Sequence, residues 1–145
     1  LVASCDLAVA SDTAQFSTPG VHIGLFCSTP MVALSRNVSN KHAMEMLLTG
    51  GMVSADDAYR IGLVNRVAPA GKASEVALDL ARQIASKSML TVKLGKEAFY
   101  RQRELNLAGA YKLTIDVMVE NMLARDAEEG IGAFIDKRDP EWEDR

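Results

Sequence analysis

The residues best suited to chemistry lie between Thr18 and Pro30, in the segment T-P-G-V-H-I-G-L-F-C-S-T-P. Its spaced prolines and glycines disfavour both a long helix and a central strand, so we predict a loop with a packed interior, a common place for a site. His22 is a candidate general base, because a neutral imidazole accepts a proton near physiological pH. The alternative is that Val21 and Ile23 pack while His22 faces solvent or makes a local hydrogen bond.

The other reactive residue types give weaker signals. Cys5 and Cys27 are the only cysteines, their spacing fits no metal site, and two cysteines provide no disulfide framework. Both are predicted to be reduced and packed. Asp56 and Asp57 are interpreted as a first-turn pair favoured by the helix dipole rather than as a catalytic dyad. No metal site is predicted.

Short strands and helices are predicted around this segment. Residues 6–10 (D-L-A-V-A), 15–17 and 63–67 (L-V-N-R-V) have the length and composition of strands. From Ser39 onward the pattern is mainly helical, with capping residues and apolar residues at helical spacing. The predicted helices run from Ser39 to Gly50, from Ser54 to Gly62, and over residues 72–87, 90–103, 107–125 and 128–138.

Composition limits the class of protein. The chain has 145 residues, 48% hydrophobic and 24% charged, which is typical of one soluble globular domain. The net charge of -3 comes from interspersed acids and bases, so a nucleic-acid partner is not expected. Apolar stretches end well before the roughly 20 residues that span a bilayer. The chain opens at Leu1 without a Met or a signal peptide, which suggests a fragment.

Five pieces of sequence follow one another along nearly the whole chain. They are C-D-L-A-V-A (residues 5–10), F-S-T-P-G-V-H-I-G-L (16–25), A-M-E-M-L-L-T-G (43–50), S-A-D-D-A-Y-R-I-G-L-V-N-R-V (54–67) and E-G-I-G-A-F-I-D-K-R (129–138). In this order and spacing they resemble the second half of the enoyl-CoA hydratase/isomerase (crotonase) family. The resemblance implies an α/β fold: part of a crotonase-like ββα layered core over residues 1–70, then a helical C-terminal oligomerisation region over residues 71–145.

The resemblance also implies a function. Members of the family act on acyl-CoA or enoyl-CoA thioesters, as in fatty acid metabolism, and need no separate cofactor because CoA is part of the substrate. The two N–H groups of the oxyanion hole and the first glutamate of hydratases precede the matched region, so the 145-residue chain by itself is expected to be inactive. The second glutamate position holds Gly20, which cannot exchange a proton. Cys27 and Ser28 replace the Pro-Gly pair of many hydratases. The alternative is a catalytically silent homologue that serves as an assembly or CoA-binding module.

Site residues are carried over by position. The implied substrate pocket comprises Pro19, Gly20, Gly24, Leu25, Phe26 and Ser28. Phe134 and Lys137 match an aromatic residue and a lysine that approach the CoA nucleotide of a neighbouring subunit; alternatively, Phe134 belongs to a trimer core and Lys137 is a solvated charge. A homo-oligomer, either a trimer or a hexamer, is expected. The implied location is cytoplasmic, or the mitochondrial matrix if an upstream segment carries a transit peptide.

Overall fold

The computed structural model describes residues 1–145, which divide into two compact units, Leu1–Leu80 and Ala81–Arg145. The strands are β1 (Val9–Ser11), β2 (Gln15–Phe16), β3 (Val53–Ser54) and β4 (Arg66–Ala68). The helices are α1 (Ser28–Asn37), α2 (Asn40–Thr49), α3 (Ala55–Arg60), α4 (Ala73–Ala85), α5 (Met89–Gln102), α6 (Leu107–Met122) and α7 (Arg125–Asp136), with 3-10 helices at Val2–Ser4 and Pro19–Ile23. None of the helices is both long and apolar enough to cross a membrane.

The first unit contains two small sheets. β1 pairs in parallel with β4, with Ala10 opposite Val67, and β2 pairs antiparallel with β3. The backbone N–H of Asn65 donates to the carbonyl of Ala8 at 2.8 Å, just before β4 begins. A parallel pair needs a long crossover, and here the crossover contains α1, α2, α3 and the second sheet. The predicted strands are therefore present, with β1 and β4 each displaced toward the C-terminus.

Helix α2 supplies the centre of the first unit's core. Ala43, Met46 and Leu47 are all buried, as the helical spacing predicts. The helix ends at Gly50, whose φ of 62° is a left-handed conformation that favours glycine. Other buried residues, from β1, α1 and the residue after it, α3, and the segment just before β4, pack around this face. They are Ala10, Leu34, Val38, Ala55, Ala58, Leu63 and Val64.

Helix α1 differs from the sequence-based prediction. The loop was expected to run to Pro30 and the next helix to begin after Ser39, yet α1 spans Ser28–Asn37. Pro30 lies in its first turn, where a backbone N–H has no partner within the helix and proline is tolerated. The predicted loop is also more ordered than expected, because a 3-10 helix covers Pro19–Ile23.

The second unit is helical, and the predicted helices over 90–103, 107–125 and 128–138 are confirmed within a few residues by α5, α6 and α7. Its buried residues are small or polar: Ser88, Ala98, Asp126 and Ala133. Large apolar side chains stay outside, with Met118, Leu123 and Phe134 exposed and Leu113 half-buried. This unit therefore buries little apolar surface within its own chain.

Candidate functional site

A cleft of about 510 Å³ opens on the first unit. Its walls come from the 3-10 helix Val2–Ser4, the end of β2, the N-terminal half of α1 and single residues of α2 and the approach to β4. The lining residues are Leu1, Val2, Ala3, Ser4, Phe16, Ser17, Thr18, Thr29, Pro30, Ala33, Leu34, Met46 and Leu63. None of these side chains is ionisable, so the cleft is an apolar surface with a few hydroxyl groups.

Two of those hydroxyls attach the cleft wall to the C-terminal end of α2. The Ser17 hydroxyl donates to the carbonyl of Gly50 at 2.9 Å, and the buried Thr18 hydroxyl donates to the carbonyl of Met46 at 2.9 Å. A hydroxyl has a single proton to donate. Toward the cleft, therefore, both oxygens can only accept hydrogen bonds. Neither residue was singled out from the sequence, since serine and threonine near a turn give no distinguishing signal.

His22 lies on the adjoining 3-10 helix and does not line the cleft. Its Nε2 is 3.2 Å from the carbonyl oxygen of Gly50. Because a carbonyl oxygen only accepts, Nε2 carries the proton in this contact. His22 thus makes a hydrogen bond, as the alternative to a catalytic role expects, but with a residue 28 positions away rather than a local one. The expected packing of Ile23 is wrong, as that residue is 76% exposed.

Position 20 has no room for a side chain. A Cβ atom added to Gly20 would lie 2.8 Å from the Sγ of Cys27 and 2.8 Å from the carbonyl oxygen of Leu25. The turn is closed by the Gly20 N–H, which donates to Cys27 Sγ at 3.3 Å, and by the Leu25 N–H, which donates to the Gly20 carbonyl at 3.0 Å. An acid at this position would require the backbone of the turn to move.

The residues predicted to form the substrate pocket lie close together along the chain, from the 3-10 helix to the start of α1. They are Pro19, Gly20, Gly24, Leu25, Phe26 and Ser28, and none of them is among the residues that line the cleft, although their neighbours Thr18 and Thr29 are. The Leu25 side chain is 62% exposed. Their role in substrate binding stays a prediction.

The cysteines differ from each other. Both are free, but Cys5 is exposed while Cys27 is half-buried against Gly20. The prediction that both are packed is therefore wrong for Cys5. Its position in a turn after the 3-10 helix leaves it outside the core.

A second, polar groove of about 310 Å³ is lined by residues of α2, α3 and β3, including His42, Glu45, Asp57 and Arg60. The Asp57 carboxylate pairs with Arg60 at 2.8 Å, and Ser54 accepts from the Asp57 N–H at 3.1 Å. The hydrogen bonds from Arg60 and from the Ser54 hydroxyl lower the pKa of Asp57. Asp56 and Asp57 lie in the first turn of α3, which confirms that part of the prediction. The structure contains no group of three or more potential metal-ligating residues.

Phe134 and Lys137 lie at the end of α7 in the second unit. The Phe134 side chain is 85% exposed. Lys137 ends the helix with a φ of 56°, a left-handed conformation uncommon for a residue other than glycine. Both side chains are available to a ligand or to another protein chain.

The sequence and fold match one family of known proteins. The enoyl-CoA hydratase/isomerase family model matches residues 1–145. The chain belongs to this family. Human enoyl-CoA hydratase domain-containing protein 3, mitochondrial, is 53% identical over 142 residues, which are 98% of this chain and 47% of that protein. A mitochondrial enoyl-CoA hydratase from Pongo abelii is 34% identical and is covered over 50% of its length.

Solved structures agree with this assignment and confirm the expected partial crotonase fold. The crystal structure of the human domain-containing protein 3 superposes with a TM-score of 0.91 at 52% identity, covering 97% of this chain and 56% of that one. An enoyl-CoA hydratase from Mycobacterium smegmatis gives a TM-score of 0.93 at 49% identity, covering 97% and 55%. The chain thus spans about half the length of the family members that it matches.

Proposed function

We propose that the protein acts on an acyl-CoA or enoyl-CoA thioester, and that this chain provides an apolar wall of the acyl pocket without an acid or a base. The observation that supports this most directly is the cleft, whose lining contains no ionisable side chain. Apolar surface with a few fixed polar groups is typical of a small-molecule site. The names of several relatives, as enoyl-CoA hydratases, favour a thioester substrate.

The reaction proposed is one that needs at most one proton-transferring group, such as an isomerisation, rather than two-glutamate hydration. General acid–base catalysis needs a side chain within hydrogen-bond reach of the substrate. Gly20 has no such group, and its surroundings exclude one. Any proton transfer at the cleft would therefore use a residue outside its lining.

A direct assay tests this proposal. Purified full-length protein would be given a short 2-enoyl-CoA to measure hydration and a 3-enoyl-CoA to measure isomerisation. We expect isomerisation to exceed hydration clearly. Hydration as fast as that of an ordinary hydratase would contradict the proposal. Binding of both thioesters without turnover would favour the second candidate, a catalytically silent homologue, which the absence of ionisable groups in the cleft lining also supports.

We also propose that Phe134 and Lys137 contact the CoA nucleotide bound to a neighbouring subunit. A lysine supplies a point charge for phosphate, and an aromatic ring supplies an apolar surface for adenine. The exposure of Phe134 is compatible with this role. Replacing Lys137 with alanine should then raise the Kd for CoA, and an unchanged Kd would contradict the contact.

The proposed setting is the mitochondrial matrix, with no separate cofactor. The support is that the names of three relatives at 53% identity, from human, rat and frog, place those proteins in mitochondria. Immunofluorescence of the full-length protein against a matrix marker would test it, and a uniform cytoplasmic signal would count against it.

A further inference from the structure

Residues 140–145, called the strap here, fold back along α7 although they form neither helix nor strand. The reversal begins at Lys137, where the helix ends, and the Arg138 N–H donates to the carbonyl of Ala133 at 3.0 Å. Pro140 then prevents any continuation of the helix. From residue 141 to residue 145, every residue makes a hydrogen bond to α7 or to the chain around the start of α5.

Asp126, in the first turn of α7, is the main anchor of the strap. It is only 2% exposed, and its carboxylate accepts the backbone N–H groups of Glu143 at 2.8 Å and Asp144 at 3.1 Å. Ser88 donates a further hydrogen bond to it. The Asp126 N–H in turn donates to the carbonyl of Arg145 at 3.0 Å. A buried carboxylate is stable only when it is paired in this way.

Trp142 is the second anchor. Its indole N–H donates to the carbonyl of Ser86 at 3.0 Å. Its ring packs on α7 at Gly130, where an added Cβ would lie 3.1 Å from the ring. The glycine therefore lets the indole approach the helix closely. Gly132, two residues further along α7 and therefore on another face of the helix, has nothing within 4 Å of such a Cβ.

Glu129 links the strap to the end of α7. Its two carboxylate oxygens pair with Arg138 at 2.6 and 2.9 Å, and one of them also accepts the Glu141 N–H at 2.9 Å. At the other end of the strap, the Asp144 carboxylate accepts the Met89 N–H at 2.7 Å. The strap is thus attached to both α7 and the start of α5.

We propose that the strap is a positioning device that fixes α7, and that it thereby sets where Phe134 and Lys137 stand when CoA binds. The part concerning CoA rests on the proposed function. The physical reason is that within its own chain α7 buries only Asp126 and Ala133, so intrachain apolar packing contributes little to its position and the strap contacts supply much of the rest.

Gly130→Ala tests this inference, with Gly132→Ala as its matched control. Both changes add one methyl group to α7 and give a similar gain in helix propensity. Only the first methyl would meet Trp142. The measurements are hydrogen exchange of residues 125–145 and the Kd for CoA, both on the full-length protein. In Gly130→Ala we expect exchange in the strap to be about tenfold faster and the Kd for CoA to rise. Gly132→Ala should match the wild type in both.

Trp142→Ala removes the same contact without changing α7, so it replaces Gly130→Ala if that variant does not fold. Unchanged exchange in the strap, or equal effects of the two glycine variants, would overturn the inference. If Gly130→Ala loosens the strap but leaves the Kd for CoA unchanged, while Lys137→Ala raises that Kd, the positioning role is overturned and the CoA contact is retained. An unchanged Kd in Lys137→Ala would instead refute the CoA contact, and the part of the inference that rests on it.

Discussion

Gly20 illustrates how a single residue limits the chemistry of this chain. Lack of a side chain removes any acid or base, and the closed turn around it makes the addition of a side chain costly. Cys27 contributes to both effects, because its sulfur accepts the Gly20 N–H and occupies the space of a Cβ. Residues 20 and 27 are therefore coupled, and a change at one alters the cost of a change at the other.

The coupling can be measured by replacing Gly20 with alanine. The added methyl group would overpack the turn and should lower the free energy of unfolding by about 1 to 3 kcal/mol. Adding Cys27→Ala removes the sulfur atom that crowds the methyl group, so it should recover part of this loss. The recovery should be incomplete because the Leu25 carbonyl still crowds the methyl group. Gly95→Ala is the control: it lies in α5 with nothing within 4 Å, so it should not destabilise the protein. Equal urea midpoints for Gly20→Ala and Gly95→Ala would contradict the prediction.

At the scale of secondary-structure elements, helix caps differ in what they contribute. Ser54 and Ser39 both stand at helix N-caps, yet only Ser54 accepts a hydrogen bond from a backbone N–H of its helix. The Ser54 hydroxyl also donates to the Asp57 carboxylate at 2.9 Å, so the two side chains are bonded to each other. The first turn of α3 is thus held by its own side chains.

Ser54→Ala should therefore destabilise the protein by about 1 kcal/mol, which is typical of a lost N-cap. Ser39→Ala removes a hydroxyl from the same helical position without removing a cap hydrogen bond, so its effect should be smaller. Thermal unfolding of the two variants side by side measures the difference. A larger loss in Ser39→Ala would contradict the stabilising role of the Ser54 cap.

Attachment of the strap to α7 should depend on pH. The pairing with Arg138 and the Glu141 N–H lower the pKa of Glu129 from its usual value near 4.5 to about 2. The hydrogen bond from Ser88 and those from the strap backbone likewise lower the pKa of Asp126. A carboxyl with a depressed pKa in the folded state binds its proton first in the unfolded chain, so acid favours unfolding.

Stability from Glu129 should accordingly be complete above about pH 4.5 and be lost as the pH falls toward 2. Over this range we expect the Tm of the wild type to fall more steeply than that of Glu129→Gln. Glu75→Gln is the control, because its ion pair with Lys72 is exposed on both sides and should contribute little. Parallel Tm curves for Glu129→Gln and the wild type would refute this account.

At the scale of the whole molecule, the exposed apolar side chains of the C-terminal helices predict assembly with other subunits. Met118, Ile131, Phe134 and Ile135 are exposed on α6 and α7. Burying side chains of this kind is worth roughly 1.5 to 3 kcal/mol each, a large amount beside the marginal stability of a domain. We therefore expect a homo-oligomer with α7 near a subunit boundary, and the family resemblance favours a trimer or a hexamer.

Light scattering over a concentration series tests this expectation. Phe134→Lys places a charge on the exposed face and should shift the protein toward smaller species, whereas Glu120→Lys, at an exposed polar position of α6, should not. A well-folded monomer that persists at high concentration would show that the assembly prediction is wrong.

Sequence alone determined the features that depend on local order. The spacing of Ala43, Met46 and Leu47 was sufficient to predict the buried face of α2, and glycine at position 50 to predict its end. The five sequence pieces were sufficient to predict the family, because the order and spacing of motifs can be read from one sequence without knowledge of its tertiary contacts. The identity of Gly20 was sufficient to exclude an acid there.

Tertiary structure decided what depends on residues far apart in the sequence. That Ser17 and Thr18 attach the cleft wall to α2, and that Asp126 holds the strap, required atoms brought together by folding. Helix α1 was missed because Pro30 reads as a helix breaker until it is placed in a first turn. Local patterns encode backbone geometry, whereas the hydrogen-bond partners of a polar side chain are fixed only when distant segments pack.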